Sequence, residues 1–348
     1  MNVGVFSRPI LLALEMSIGA VLASSAGTAW ADSSSDWLAL ADSVAAASVL
    51  PAAPSGVDLA ISFDGYSIIQ SGSATAQTVS GEYGLAIAEG SGSYAFAGGG
   101  IGDLAEAEGV NAFALAGGAP GDTGGDYNTA IDIGNNALPS TGARDGAYAG
   151  NGDLGGGTGI GAHNVAIDIG NNTNDPVTGG GNEGAFAGAG ALVGDSGDGY
   201  YNTAIDIGNN SNWGDGADAF GGTGNYASDI GNMSGYSEGA YAGLGDHNTA
   251  IADTNYTEIY GGVYAVQGND NTAFVVGPQD SYAAAFDGNS NSSYVLDPFG
   301  STTSFAETGY GHSSDLAALL YTDGGAVAVN ADSLYDIATV LGHTVGTF

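Results

Sequence analysis

The chain has 348 residues, of which 63 are glycine and none is cysteine, and its 2 basic residues leave a formal net charge of −36. The absence of cysteine excludes disulfide bonds, thiolate nucleophiles and cysteine-based zinc sites. So few lysines and arginines exclude sequence-independent binding to nucleic acid and electrostatic docking on anionic lipid. A hydrophobic content of 43% argues against disorder, because disordered chains contain few such residues.

Residues 1–31 are predicted to form a secretory signal peptide. Arg8 precedes an interrupted apolar run from Leu11 to Leu22, and Ala29-Trp30-Ala31 supplies the small-x-small cleavage pattern. The alternative, a membrane anchor, needs about 20 consecutive apolar residues, and this run is shorter. We therefore expect a protein that is secreted or held in the cell envelope, with cleavage before Asp32 and no transmembrane anchor afterwards.

Residues 32–80 are predicted to form an N-terminal cap. Ser35-Asp36 can cap a short helix that carries Trp37 and Val44. Two strand-like runs follow at 57–63 and 66–70, and Asp64-Gly65 between them is a hairpin turn signal.

Residues 81–300 contain an internal repeat. The motif Asn-Thr-Ala-Ile-Asp-Ile-Gly-Asn-Asn at 128–136 returns almost unchanged at 164–172 and 202–210. Weaker copies begin at Asn225, Asn248 and Asn271. A second motif, Gly-Ala-(Tyr/Phe)-Ala-Gly, alternates with the first. Two motifs that alternate at this spacing along the chain predict a stack of similar units, each made of two short strands and two turns.

The predicted fold is all-β: a parallel β-solenoid in the form of a flattened two-sided roll. Stacking identical units in register gives each strand parallel partners above and below, about 4.8 Å away. We assign Ile131 and Ile133 to the inside, which leaves Asp132 in water, and expect Gly134 to supply a corner with positive φ. The asparagines that begin successive copies of the first motif are expected to hydrogen-bond from coil to coil as a ladder.

Residues 301–348 are predicted to form a C-terminal cap that is richer in bulky aliphatic residues. Leu316–Tyr321 and Ala326–Val329 flank Asp323-Gly324-Gly325, which predicts a hairpin. Residues 332–341 carry apolar side chains at helical spacing and are predicted to form a helix.

These repeats and the apolar C-terminal tail resemble exported, glycine- and asparagine-rich repeat proteins of mycobacteria. In composition the middle is similar to the PGRS and MPTR regions of the PE and PPE families, but a Sec-type leader stands where a PE or PPE domain would be. The strand pattern also looks like the β-roll heads of trimeric autotransporter adhesins. The resemblance covers roughly residues 81–341 and implies a protein of the envelope or the extracellular space.

Asp132, Asp168, Asp206 and Asp229 occupy one position in successive copies and are the candidate metal ligands. Stacked carboxylates repel one another, and calcium bound through oxygen ligands would relieve that repulsion. The alternative is a solvated acidic face whose charges are screened. No tandem Gly-Gly-x-Gly-x-Asp nonapeptide of the kind found in calcium rolls is present.

The sequence contains no arrangement typical of a catalytic site, so a non-enzymatic protein is expected. His163 and His247 hold the position of Tyr127 and Tyr201 in other copies, and are expected to be variable surface residues of the repeat. Aromatic residues such as Tyr148 can form an exposed stripe or pack between coils, and both possibilities stay open. The expected role is structural or in surface interaction with an unidentified envelope or host macromolecule. The alternative is a calcium-binding β-roll that folds after export.

Overall fold

The structure is a computed structural model, and it describes the following residues: 57–118, 124–136, 146–151, 160–172, 184–189, 198–211, 216–234, 239–253, 262–276, 281–296, 304–308, 316–321, 327–331 and 337–341. The chain divides into two compact units, Met1–Pro51 and Ala52–Phe348, and all described residues belong to the second. The predicted signal peptide and the helix near Trp37 lie outside the described residues.

Two large sheets make up the described unit. The first sheet has 13 strands. In chain order, these strands are β1 (Leu59–Phe63), β2 (Tyr66–Ser71), β4 (Leu85–Glu89), β6 (Leu104–Glu108), β8 (Thr129–Gly134), β11 (Val165–Gly170), β14 (Thr203–Gly208), β18 (Tyr226–Ile230), β21 (Thr249–Asp253), β23 (Thr272–Val276), β25 (Ser292–Leu296), β27 (Leu316–Tyr321) and β29 (Ile337–Leu341). Their spatial order across the sheet is β2-β1-β4-β6-β8-β11-β14-β18-β21-β23-β25-β27-β29.

The second sheet has 11 strands, which follow one another in chain order across the sheet. They are β3 (Thr75–Thr78), β5 (Tyr94–Gly98), β7 (Phe113–Gly118), β9 (Gly146–Asn151), β12 (Gly184–Gly188), β16 (Ala217–Phe220), β20 (Ala240–Gly243), β22 (Val263–Val266), β24 (Ser281–Phe286), β26 (Ser304–Thr308) and β28 (Val327–Ala331).

Five two-residue strands form two small ladders at the turns. Three of them pair as a parallel sheet, namely β10 (Gly161–Ala162), β13 (Gly199–Tyr200) and β17 (Gly222–Thr223). The other two, β15 (Asn210–Ser211) and β19 (Met233–Ser234), pair with each other.

The chain alternates between the two large sheets. Each coil contributes one strand to the second sheet and then one strand to the first sheet. Strands of successive coils pair in parallel and in register: Ile167, for example, pairs with Ile131 on one side and with Ile205 on the other. This arrangement confirms the predicted parallel β-solenoid. At the N-terminal end, β1 pairs antiparallel with β2 and with β4, so the predicted hairpin around Asp64-Gly65 is present.

The core between the two sheets consists almost entirely of alanine. Ala130, Ala166 and Ala204 of the first sheet lie in one buried cluster with Ala147 and Ala185 of the second. Small side chains allow the two sheets to approach closely, and each alanine stacks on the alanine of the next coil. The core is therefore narrow, and it repeats with the coil.

The predicted facing of the first-sheet strands is wrong. Ala130 and Asp132 are buried at 0% exposure, whereas Ile131 and Ile133 are only half-buried and lie on the outer face. Alternation along a strand separates two sets of side chains but does not identify the inner one. Here the narrow core accepts the small alanine and aspartate side chains, and the isoleucines lie outside.

Gly134, Gly170 and Gly208 do not have the predicted positive φ. The reason for glycine is close approach of the backbone. A Cβ at Gly134 would lie 1.3 Å from the carbonyl oxygen of Gly170, and one at Gly170 would lie 1.3 Å from that of Gly208. Only glycine fits where the backbones of neighbouring coils come this close.

The prediction of a separate C-terminal cap also needs correction. β27 pairs in parallel with β25, and β28 pairs in parallel with β26, so the expected hairpin around Asp323-Gly324-Gly325 does not form. Residues 337–341 form a strand that pairs with β27, where a helix was expected. The apolar residues of this segment continue the parallel ladders, and the solenoid runs from Thr75 to Leu341.

Candidate functional site

Four aspartates stack in the interior of the first sheet. Asp168 pairs in register with Asp132 and Asp206, and Asp206 pairs with Asp229. Their exposure is at most 1%. Ala107 holds the same position in the coil before the group, and Ala252 holds it in the coil after the group. The structure therefore brings the four predicted ligand candidates together, but in the core and not on a solvated acidic face.

An asparagine four residues later holds three of these carboxylates. Asn136 Nδ2 donates to Asp132 Oδ2 at 2.7 Å, and Asn172 makes the equivalent bond to Asp168 at 2.5 Å. Asn210 donates to Asp206 in the same way. The backbone N–H of Phe113 also donates to Asp132 Oδ2, at 2.5 Å. These donors partly replace the water that the carboxylates lose on burial.

Burial raises the pKa of the Asp206 carboxyl to about 7, and the hydrogen bond from Asn210 opposes the shift. Within the described residues, Asp206 Oδ1 has no hydrogen-bond partner. Neighbouring carboxylates in the stack are one strand spacing apart, about 4.8 Å, so ionising all of them at once would be unfavourable. Asp206 therefore exchanges its proton close to neutral pH.

The contacts observed at three of these carboxylates are hydrogen bonds from amide groups. A calcium ion takes about 6 to 8 oxygen ligands, whereas the groups that approach the aspartate oxygens here are N–H donors of Asn136, Asn172 and Asn210. In the part of the chain that the structure describes, no three histidine or acidic side chains are grouped so that they could hold a metal ion. The donors suit a carboxylate that is held by hydrogen bonds within the protein.

The predicted asparagine ladder is present and lies beside the core. Asn128, Asn164, Asn202, Asn225, Asn248, Asn271 and Asn291 are buried at the turn that precedes each first-sheet strand. From Asn164 onward, the backbone N–H of each ladder residue donates to the side-chain oxygen of the previous one, at 2.9 to 3.1 Å. The side-chain amides also donate to glycine carbonyls of the next coil, as Asn164 does to Gly199 at 2.9 Å.

Asp103 occupies the first position of this ladder. Its Oδ1 accepts from the backbone N–H of Asn128 at 2.8 Å and from the side chain of Asn128 at 3.3 Å. Burial raises the pKa of Asp103 to about 7; the two bonds from Asn128 oppose this shift, and the charges of Asp126 and Glu82 add to it. The role of Asp103 is therefore structural, like that of the asparagines that follow it.

A second asparagine ladder lies on the surface. Asn135, Asn171 and Asn209 are exposed, and each donates from its backbone N–H and its Nδ2 to the side-chain oxygen of the equivalent residue in the next coil. The amide-to-amide distances are 2.7 to 2.9 Å. The two asparagines that end the repeat motif therefore have different roles. The first bonds to the equivalent residue of the next coil, and the second donates a hydrogen bond to the buried aspartate.

The turn residue before the buried asparagine is left-handed in several coils. Tyr127, His163 and Tyr201 have φ of 59°, 58° and 56°. Their exposed rings stack from coil to coil, with centroids 5.2 Å apart for Tyr127 and His163 and 4.7 Å apart for His163 and Tyr201. His163 and His247 are exposed, as predicted for variable surface residues. The rings of His163 and Tyr201 are stacked, and those of Tyr127 and His163 are tilted by 37°.

Aromatic residues of the second sheet pack between coils and do not form an exposed stripe. Phe96, Tyr148, Phe186 and Tyr241 belong to one register column on the face away from the alanine core, and they are 3 to 5% exposed. Leu115 and Asp218 complete this column. Phe113, two residues before Leu115, stacks on Tyr148 with ring centroids 5.2 Å apart. The interpretation in which aromatic residues pack between coils is therefore confirmed for this column.

The outer face of the first sheet is different, because its apolar side chains are open to solvent. Thr203, Ile205 and Ile207 of β14 alternate with the buried Ala204 and Asp206, and Ile207 is 39% exposed. Ile169 and Ile230, the equivalents of Ile207 in the adjacent coils, are 38% and 42% exposed. This outer face therefore presents isoleucine side chains to solvent in three successive coils.

Sequence reasoning missed the structural use of Asp132 and Asn136, although a signal for it was available. The pattern Asp-x-x-x-Asn recurs at the same place in the three close copies of the motif. In a strand followed by a turn, this spacing brings the amide back to the carboxylate. An aspartate that carries its own hydrogen-bond donor in each copy is typical of a buried acid.

Comparison with known proteins gave no relative: no family model, curated protein or solved structure matches the chain. The described residues form strands and turns, and they include no helix long and apolar enough to cross a membrane.

Proposed function

We propose that this chain is an exported, non-enzymatic β-solenoid of the cell envelope or the extracellular space, with a structural or surface-interaction role. The observation that carries the proposal is the hydrogen bonding of its candidate polar residues. Asp103 and the ladder asparagines hold one coil to another, and Asp132 and Asp206 hold a strand to the turn that follows it. Side chains engaged in this way hold the coils in register.

Export is supported by the leader at residues 1–31 and by the lack of cysteine, which leaves no thiols to pair wrongly in an oxidising compartment. The test is to express the full chain in a bacterial host and to determine the N-terminal residue of the protein recovered outside the cytoplasm. We expect Asp32. Recovery of the intact chain in the cytoplasm would contradict the export part of the proposal.

The second candidate function is a calcium-binding β-roll that folds after export, and one observation favours it, namely the stacking of four carboxylates. Far-UV circular dichroism of the chain from Asp32, first with EDTA and then with millimolar calcium, separates the two functions. We expect a full β signal in EDTA, because asparagine donors already hold the carboxylates. A coil spectrum that becomes β only with calcium would establish the second function instead.

A further inference from the structure

The outer face of the first sheet, from β4 to β25, presents three columns of side chains at the spacing of the coils. In β8, β11 and β14 these columns consist of Thr129, Val165 and Thr203; Ile131, Ile167 and Ile205; and Ile133, Ile169 and Ile207. All are half-buried or exposed, so no described part of the chain covers them. Regular apolar faces of this kind mark interaction sites.

Charge is unevenly distributed along this face. Glu89, Glu106 and Glu108 lie on the outer face of β4 and β6, near the N-terminal end. Beyond them, β8, β11, β14 and β18 present no charged side chain outward. In a chain with a net charge of −36, an uncharged strip is suited to a partner that is bound by apolar contact.

The size of the face fits an association of whole proteins. Nine strands about 4.8 Å apart, each about 15 Å long, give a face of roughly 650 Å². Specific interfaces bury about 800 Å² on each partner, including a rim around the apolar centre. The face with a modest rim therefore reaches the size that a stable dimer needs.

The spacing of the columns selects the partner. Side chains from two packed sheets interdigitate along the full length of the contact only if both surfaces have the same repeat. A second copy of this chain has the same coil spacing. The side chains of each coil of one copy can then meet those of one coil of the other along the whole contact.

The acidic residues at the N-terminal end of the face determine how the two copies are oriented relative to each other. In a parallel arrangement, Glu106 and Glu108 of the two copies would face each other, and like charges at a contact are unfavourable. An antiparallel twofold arrangement places this end against β23 and β25 of the other copy, whose outward residues include Phe274 and Tyr294. The twofold axis then passes through β14, the central strand of the nine.

We propose that two copies of the chain associate through the outer faces of their first sheets, antiparallel, with Ile205 at the twofold axis. This inference specifies the partner within the proposed surface-interaction role. Its test uses purified protein and does not depend on export, so a failure of one proposal is distinguishable from a failure of the other.

The first test is sedimentation velocity of the chain from Asp32, from low to high micromolar concentration. We expect a species with twice the mass of one chain, and we expect Ile207→Lys to convert it to the single-chain mass. Ile101→Lys is the matched control, because Ile101 is 45% exposed on a turn away from the face and the change in charge is the same. Circular dichroism checks that both variants fold, and Ile169→Lys replaces Ile207→Lys if that variant does not.

A single-chain mass for the unaltered protein throughout this range would overturn the proposal, as would a dimer that survives the folded face variant. Orientation is tested with a short bis-maleimide, since the chain contains no cysteine. Ile205→Cys is expected to cross-link efficiently. Ile131→Cys is expected to cross-link poorly, because the two copies of that position would be about four coils, or 19 Å, apart. Equal cross-linking of both variants would exclude the antiparallel arrangement.

Discussion

The inner and outer faces of the first sheet reverse the usual distribution of side chains. In β14, the inner face carries Ala204 and Asp206, both at most 1% exposed, and the outer face carries Ile205 and Ile207, of which Ile207 is 39% exposed. Size explains the reversal better than hydrophobicity does, because the alanine core leaves little room between the sheets. A polar side chain is tolerated there if it is small and meets a hydrogen-bond donor, as Asp206 does with Asn210.

The largest expected effect tests the buried acid on the inner face. Asp206 has a pKa of 3.8 in a model peptide and about 7 in the folded protein, so the folded state binds its proton more tightly. Protonated Asp206 therefore stabilises the folded state, fully below about pH 4 and progressively less as the pH rises to about 7. The corresponding decrease in the free energy of unfolding is about 4 kcal/mol. Asp103 contributes in the same direction, since burial raises its pKa to about 7 as well.

Urea unfolding at several pH values measures this dependence. Asp206→Asn keeps an acceptor for Asn210 and removes the titration, so we expect a flatter pH profile and greater stability above neutral pH. Asp246→Asn is the matched control, because Asp246 is exposed and accepts a backbone hydrogen bond from Thr223 at 2.8 Å. Identical pH profiles for the two variants would show that Asp206 is not a buried acid.

The next effect compares neighbouring residues on opposite faces. Ala204→Ile places a large side chain in the narrow core and is expected to cost about 3 kcal/mol through overpacking. Ile205→Ala removes apolar surface from the outer face. In the dissociated chain it is expected to lower the free energy of unfolding by about 1 kcal/mol. Thermal or urea unfolding at concentrations where the chain is a monomer measures both. A larger loss for Ile205→Ala would restore the original assignment of the inner face.

The smallest effect compares the two asparagine ladders. Asn164→Ala removes the acceptor of the Asn202 backbone N–H and the donor to Gly199 in a buried site, at an expected cost of about 2 kcal/mol. Asn171→Ala removes equivalent bonds at the surface, where water replaces them, and is expected to cost less than about 1 kcal/mol. Urea unfolding measures the difference. Equal losses would mean that burial of the ladder adds nothing to its strength.

The repeat made much of this fold predictable from sequence. Near-identical segments at 128–136, 164–172 and 202–210 require the same structure in each copy, and short strands with parallel neighbours follow from that. The buried ladder was also predictable, because an asparagine recurs at one turn in every unit, from Asn128 to Asn271. The two-residue turn Asp64-Gly65 correctly indicated the N-terminal hairpin.

The errors arose where a local pattern is compatible with two structures. Alternation in Thr129-Ala-Ile-Asp-Ile133 does not say which set lies inside, and the choice depends on the distance to the other sheet. The apolar spacing of residues 332–341 fits a helix, yet pairing with β27 draws Ile337–Leu341 into the first sheet. Both outcomes are set by contacts with distant residues, which local periodicity does not contain.

The parallel ladders have a mechanical consequence. Backbone hydrogen bonds between coils run along the stacking direction, so tension applied between Thr75 and Leu341 pulls directly on them. A terminal coil is bonded to a neighbour on one side only and would therefore detach before the inner coils. Each compact coil of 23 residues, the separation of Asn225 from Asn248, would release about 80 Å of extended chain. A filament or surface layer built from such coils would therefore lengthen under load in small successive steps and would not fail in a single event.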